Sequence, residues 1–171
     1  MMKTKIITIV AAVMLLEIGT VQADTVWISG HHEIVDGDVY GEIWMYNDCT
    51  LDILGGEIFR LAAYDTTFTD WFAGQMGTLW AEGGSIVNIY GGDLGDLWAT
   101  DNSSVILYAY DVTHTTKGGY WDDGQVYGKY YLDDSPFSFD LYRDAYSHIT
   151  IIPEPATILL FGLGGLMLRK C

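Results

Sequence analysis

The 171-residue sequence predicts an all-β fold, a short β-solenoid of the parallel β-helix kind with about four to five coils. The first observation is an 18-residue repeat that places Ile43, Leu61, Leu79 and Leu97 at equivalent positions. The second is an alternation of apolar and polar positions, which is typical of strands. The third is the recurrence of Gly, Asp and Asn between these stretches, which indicates turns. A β-sandwich, which does not require matching positions, is the alternative.

The first 23 residues have the pattern of a secretory signal peptide. Lys3 and Lys5 give a basic start, residues 6–16 are mostly apolar, and a small-residue site ends at Ala23. We therefore expect the secretion machinery and signal peptidase to process the chain between Ala23 and Asp24. The alternative is a buried N-terminal helix, which would leave the basic start unexplained.

Residues 24–114 carry the repeats. We number the 18 positions of the repeat from Ile43 and call the residues at one position in successive coils a column. The apolar or small columns are expected to point inward and to stack on the next coil at ~4.8 Å. Column three reads Met45, Ala63, Ala81, Ala99. Column eleven reads Ile53, Trp71, Ile89, Leu107. Column seven reads Cys49, Thr67, Ser85, Ser103, so Cys49 is interpreted as a small stacked side chain rather than a reactive one. The segment 25–42 fits the repeat more loosely.

The repeat dissolves after residue 114 into a segment rich in Tyr and Asp. Solenoids need terminal caps that protect the open edges of their sheets. Residues 115–152 are therefore predicted to form a hairpin-like cap and a linker. A small functional loop region is the alternative.

Two columns place aromatic residues on the outside. Column two reads Trp44, Ala62, Trp80, Trp98, and column twelve reads Leu54, Phe72, Tyr90, Tyr108. Sugar rings stack on aromatic faces and their hydroxyls bond to carboxylates, so the predicted glycan contacts are Trp44, Trp80, Trp98, Tyr90 and Tyr108. The alternative is that these rings only cover the sheet or pack beneath residues 115–149.

The charge balance excludes nucleic-acid binding. The chain has 23 acidic and 8 basic side chains, and residues 24–152 alone hold 21 acids and 4 bases, a net charge of 4 − 21 = −17. Column fifteen reads Glu57, Gln75, Asp93, Asp111 and could bind Ca²⁺ between neighbouring coils. A solvated acidic face is the favoured interpretation, so no cofactor and no metal are expected.

An enzyme is not expected. Glycosidases need two carboxylates at a set separation, and acids are so frequent here that any pair is weak evidence. His31, His32 and Glu33 are adjacent, and adjacent strand residues face opposite sides. The sequence has no nucleophile elbow, phosphate-binding glycine loop or zinc signature.

The C-terminal residues 153–171 have the pattern of a sorting tail. Pro153, Glu154 and Pro155 precede an apolar run at 156–168, and Arg169 and Lys170 follow it. Thirteen helical residues would cover only about 20 Å of a ~30 Å hydrocarbon core. An ordinary single-span transmembrane anchor and a GPI signal are the weaker alternatives.

This tail resembles the PEP-CTERM sorting signal of Gram-negative bacteria. The resemblance is confined to the tail and implies export through the inner membrane, transient anchoring, and processing by an exosortase-like enzyme. It further implies release to, or attachment at, the cell surface, often in organisms that make exopolysaccharide. It implies nothing about enzymatic activity.

These observations predict an exported, non-enzymatic protein of the cell surface or extracellular matrix. Association with exopolysaccharide in a biofilm and glycan binding are part of that expectation. The alternative function is a carbohydrate-active enzyme, a hydrolase or lyase, on the same scaffold.

Overall fold

A computed structural model describes residues 24–116 and 124–152 of the chain. Thirteen strands and one 3₁₀ helix are found there, in the order β1 (Thr25–Trp27), β2 (His31–Ile34), β3 (Val39–Met45), β4 (Thr50–Ile53), β5 (Glu57–Ala63), β6 (Phe68–Trp71), β7 (Gln75–Ala81), β8 (Ile86–Ile89), β9 (Asp93–Ala99), β10 (Ser104–Thr115), β11 (Gly124–Tyr130), β12 (Pro136–Tyr142), the 3₁₀ helix (Ala145–His148) and β13 (Ile149–Ile152).

The three coils from β3 to β8 each consist of a seven-residue and a four-residue strand. The odd-numbered strands β1 to β9 pair in parallel to form a long-strand sheet, and the even-numbered strands β2 to β10 form a short-strand sheet. The register advances by 18 residues per coil, so that Ile43 lies beside Leu61 and Leu61 beside Leu79. Parallel stacking at this constant shift confirms the β-solenoid, with about five turns, and excludes the β-sandwich.

The core lies between the two sheets. Columns one, three and eleven point into it as the repeat predicts, because alternate residues of a strand face opposite sides. Their members are 1% exposed or less: Ile43, Leu61, Leu79, Leu97, Met45, Ala63, Ala81, Ala99, Ile53, Trp71, Ile89, Leu107. Cys49 of column seven is also fully buried, and burial raises the pKa of its thiol.

The turn from the longer to the shorter strand requires a left-handed backbone at column five. Asn47, Asp65, Gly83 and Asp101 have φ values of 57°, 56°, 70° and 59°. Asn, Asp and Gly are the residues that adopt this conformation most readily. The recurrence of Gly, Asp and Asn in the sequence is, at this column, therefore a consequence of turn geometry.

The stack continues beyond the region of the 18-residue repeat. β10 begins in the short-strand sheet beside β8, and its second half lies at the far edge of the long-strand sheet, where it pairs with β11. β12 lies between β11 and β9 and places Leu141 beside Leu97. β13 places Ile149 beside Val105. In both of these pairs the two residues are 44 positions apart in the sequence. The described part of residues 115–152 thus contains β11, which pairs with the second half of β10, and a further coil formed by β12 and β13.

Both predicted targeting segments fall outside the described residues. The first segment is the signal peptide, which ends at Ala23. The second is the tail with Pro153, Glu154, Pro155, Arg169 and Lys170. Within residues 24–116 and 124–152, no helix has the length and apolar character needed to cross a membrane.

Candidate functional site

The two outward aromatic columns lie on different sheets. Trp44, Trp80 and Trp98 belong to the long-strand sheet, on the outer side of β3, β7 and β9. Tyr90 follows β8 of the short-strand sheet, and Tyr108 lies in β10. The structure therefore does not bring the five predicted contact residues together into one platform.

The column on the long-strand sheet has one further member that the repeat does not reveal. Tyr142 of β12 lies beside Trp98, 44 positions away instead of 18. The ring centroids of Trp80 and Trp98 are 5.4 Å apart, and those of Trp98 and Tyr142 are 4.8 Å apart with planes at 17°. We call Trp80, Trp98 and Tyr142 the tryptophan strip.

Trp44 is separated from this strip by Ala62, which is fully buried although its column faces outward. The Trp44 ring instead stacks on Tyr64, at 6.0 Å, and Tyr64 stacks on Tyr46, at 5.1 Å. Sequence reasoning did not single out this second cluster. Column four, which reads Tyr46 and Tyr64 in successive coils, carries the signal that could have found it.

The column on the short-strand sheet forms a tighter stack. The ring centroid of Tyr90 is 4.7 Å from that of Phe72 and 4.2 Å from that of Tyr108, with planes at 4° and 18°. Burial, together with a hydrogen bond to Tyr108 and the charge of Asp70, raises the pKa of Tyr90 to about 12. We call Phe72, Tyr90 and Tyr108 the tyrosine strip.

Stacking determines which part of each ring meets the solvent. Trp98 has rings on both sides, and the guanidinium carbon of Arg143 also lies 5.4 Å from its centroid. Tyr90 is likewise held between two rings. Since neighbouring rings occupy both faces of these two central rings, Trp98 and Tyr90 offer mainly ring edges and polar atoms to a ligand.

Carboxylates flank the tryptophan strip. Asp96 and Asp140 lie side by side in β9 and β12, one strand position before Leu97 and Leu141. Burial and the nearby Asp140 raise the pKa of Asp96, whereas Asp140 accepts a hydrogen bond from the Gln125 amide at 2.7 Å. The strip and these oxygens together form an amphipathic surface.

The acidic column fifteen is only partly preserved. Glu57, Gln75 and Asp93 lie side by side, but Asp111 belongs to the part of β10 at the far edge of the long-strand sheet. Among the described residues there is no group of three or more His, Cys, Asp or Glu side chains placed to hold a metal ion.

The other polar candidates are engaged in local contacts. His31 lies 3.7 Å from the Asp52 carboxylate, whereas the ring of His32 stacks on Trp27 at 4.1 Å. Asp133 accepts hydrogen bonds from the backbone N–H and the hydroxyl of Ser135, which lowers the pKa of its carboxyl. A carboxyl held ionised in this way is unsuited to general-acid chemistry.

Comparison with known proteins gives a match for the C-terminal tail and none for the β-solenoid. A family model, the PEP-CTERM protein-sorting motif, matches residues 152–170, which confirms the resemblance seen in the sequence. No curated protein and no solved structure matches the chain. The chain is thus a β-solenoid that carries a PEP-CTERM sorting motif. The motif indicates an exported protein processed at the membrane by exosortase-type machinery.

Proposed function

We propose that this protein is a non-enzymatic component of the cell surface or extracellular matrix, delivered there by signal-peptide cleavage and tail processing. The observation that supports this most directly is the combination of a sorting motif at 152–170 with a body whose side chains stack from coil to coil. Stacked columns give a rigid surface, and a rigid surface suits a structural role.

The second part of the proposal is that the protein associates with exopolysaccharide. The tryptophan strip is the surface that would contact the polysaccharide. Ring edges, the Tyr142 hydroxyl and the carboxylates of Asp96 and Asp140 can contact the apolar and hydroxyl groups of a sugar chain. Each contact should be weak, because neighbouring rings occupy both faces of the central ring of the strip, Trp98. Binding should therefore strengthen with polymer length, as it does for multivalent ligands.

Tail processing is tested with a double variant, Pro153→Ala with Pro155→Ala, expressed in the native host. We expect the wild-type protein to lose the segments before Asp24 and around the Pro-Glu-Pro site, and the variant to accumulate in the inner membrane. Intact mass and cell fractionation measure both results. If both proteins keep the tail and remain in the membrane alike, the apolar run is a plain anchor and surface delivery is wrong.

Glycan association is tested with the full-length chain in a detergent that has no sugar headgroup. Affinity electrophoresis through gels containing the host exopolysaccharide should retard the wild-type protein. Trp80→Ala and Tyr142→Ala should each weaken the retardation several-fold, because each removes one element of the strip. Tyr127→Ala, at an exposed tyrosine of β11, is the matched control and should migrate as wild type.

The same mixtures distinguish binding from catalysis. A hydrolase or lyase would shorten the polysaccharide over time and release new reducing or unsaturated ends. A constant polymer length during prolonged incubation is expected. Release of such ends in proportion to protein concentration would overturn the non-enzymatic assignment.

A further inference from the structure

The two ends of the solenoid differ in shape. At the C-terminal end the short-strand sheet stops at β13, whereas the long-strand sheet continues past β12 through β11 and the second half of β10. The long-strand sheet therefore projects by two strands. At the N-terminal end β1 and β2 belong to the same coil, so the two sheets end at the same level.

The described residues leave one backbone edge of β1 and of β2 without a neighbouring strand. The Tyr46 N–H donates to the Trp27 carbonyl at 2.9 Å, and the Leu54 N–H donates to the Ile34 carbonyl at 2.8 Å. Backbone groups of successive residues in a strand point to opposite sides. Val26 and Glu33, one position before these acceptors, therefore direct their N–H and C=O groups toward the open edge.

The same end also exposes apolar surface. The stacked rings of Trp27 and His32 close the core at this level and are only half-buried, and the Val26 side chain is 61% exposed. Unpaired edges of this kind readily accept another strand, and proteins normally cover or blunt them. The projecting hairpin protects the C-terminal end, but nothing equivalent is found at the N-terminal end of the described residues.

We propose that this N-terminal edge pairs with the same edge of a second copy of the chain, β1 with β1 and β2 with β2, in antiparallel orientation. A two-fold axis perpendicular to both sheets generates both pairings at once, because it reverses each strand while keeping the two sheets aligned. A head-to-tail contact is disfavoured, since the projecting strands cannot meet an edge at which both sheets end together.

Two further arguments favour a second copy as the occupant. With cleavage after Ala23, which is part of the proposed function on which this inference rests, only Asp24 precedes β1 and no upstream segment can cover the edge. In an antiparallel β2 pair centred on His32, His31 of each copy lies opposite Glu33 of the other. Opposite charges or hydrogen-bonding groups at such positions stabilise pairing.

The edge strands are three and four residues long, so the contact is small. Stable complexes bury about 800 Å² on each partner, more than this end can provide. The dimer should therefore be weak, with a Kd in roughly the micromolar to millimolar range.

Sedimentation equilibrium tests the association on processed protein recovered from the host, with its first residue established by mass spectrometry. We expect a concentration-dependent monomer–dimer equilibrium. Val26→Pro removes the N–H that faces the open edge, at a position where proline is tolerated, and should raise Kd at least about tenfold. Phe59→Ala, at an exposed side chain in the interior strand β5, is the control and should leave Kd unchanged.

Spin labelling tests which ends meet. A thiol-reactive spin label is attached at Val26→Cys in a Cys171→Ser background. The label reacts selectively at position 26 because the remaining thiol, Cys49, is fully buried. Paired N-terminal edges place the two labels within about 20 Å. Contact through the C-terminal ends separates them by roughly 70 Å, because eight strands of the long-strand sheet at ~4.8 Å spacing then lie between the labels in each copy.

Each of the following results would overturn the inference: a monomer at millimolar concentration, a long label separation, or association that continues beyond the dimer. A mature N-terminus upstream of Asp24 would also overturn it, because the additional segment could cover the edge. These readouts are independent of polysaccharide binding and of tail cleavage. Failure of the dimer therefore leaves the proposed function intact, whereas a mature N-terminus upstream of Asp24 contradicts both the expected signal-peptide cleavage and the dimer.

Discussion

At the scale of single residues, the column-five turn shows how backbone geometry selects side chains. Asp65 has φ of 56°, and its carboxylate accepts a hydrogen bond from the Asn47 backbone N–H at 3.0 Å, one coil earlier. Its side chain therefore tolerates the left-handed backbone and also ties two coils together.

Replacing Asp65 by Ala should destabilise the protein by about 1–2 kcal/mol, since Ala tolerates this backbone less well and loses the hydrogen bond. Asp65→Gly should cost less, because Gly adopts positive φ freely and only the hydrogen bond is lost. Urea unfolding of the two variants measures the difference. A Gly variant less stable than the Ala variant would show that backbone strain does not govern this position.

The tyrosine strip gives a pH prediction at the same scale. The pKa of Tyr90 is about 12 in the folded protein and 10.0 for an ordinary tyrosine, so between these values the folded state retains a proton that the unfolded state has lost. The contribution to stability is complete below pH 10 and is lost as pH rises toward 12.

Urea unfolding across this pH window should therefore show a loss of stability in the wild-type protein that is smaller in Tyr90→Phe, which cannot ionise. Tyr108→Phe removes the hydrogen bond and should lower the pKa of Tyr90 in a tyrosinate absorbance titration. Identical pH profiles for wild type and Tyr90→Phe would contradict the assignment.

At the scale of secondary-structure elements, β12 and β13 form a coil that is separated from its predecessor by an inserted hairpin. Leu141 of β12 extends the leucine column of Leu61, Leu79 and Leu97 and is fully buried. The hairpin and this coil add Val126, Tyr130 and Phe139 to the core, each 2% exposed or less. Burial also raises the pKa of Tyr130.

Leu141→Ala should therefore destabilise the protein about as much as Leu79→Ala in the repeat, by roughly 3–5 kcal/mol each, because both leave a cavity in the same column. Leu132→Ala, at a side chain that is 62% exposed, is the control and should be nearly neutral. Denaturant titration measures all three. A small effect for Leu141→Ala alone would mean that β12 is only loosely attached.

At the scale of the whole molecule, excess negative charge opposes the fold. Residues 24–152 carry 21 acids against 4 bases, and the parallel register places some acids beside each other, such as Asp52 with Asp70. Few cations compensate them, and an ion pair such as Arg60–Glu42 at 3.2 Å is partly exposed and contributes little. Repulsion between exposed like charges is reduced by salt.

Raising the NaCl concentration from about 0.01 M to 0.1 M shortens the screening length roughly threefold, so the urea midpoint should rise. CaCl₂ at equal ionic strength should have the same effect if screening alone operates, and a larger one if Ca²⁺ binds column fifteen. A midpoint that falls with NaCl would show that attractive ion pairs outweigh the repulsion.

The sequence by itself determined the coil length, the inward columns, the turn residues and the sorting tail. These properties depend on local alternation, backbone preference and linear motifs, all of which repeat along the chain. Only the tertiary structure decided that β12 continues the stack after an insertion, since strand pairing at a separation of 44 residues leaves no periodic signal. It likewise decided that the aromatic columns lie on two sheets and that their rings stack on one another. Ring orientation depends on packing between coils, which the order of residues does not specify.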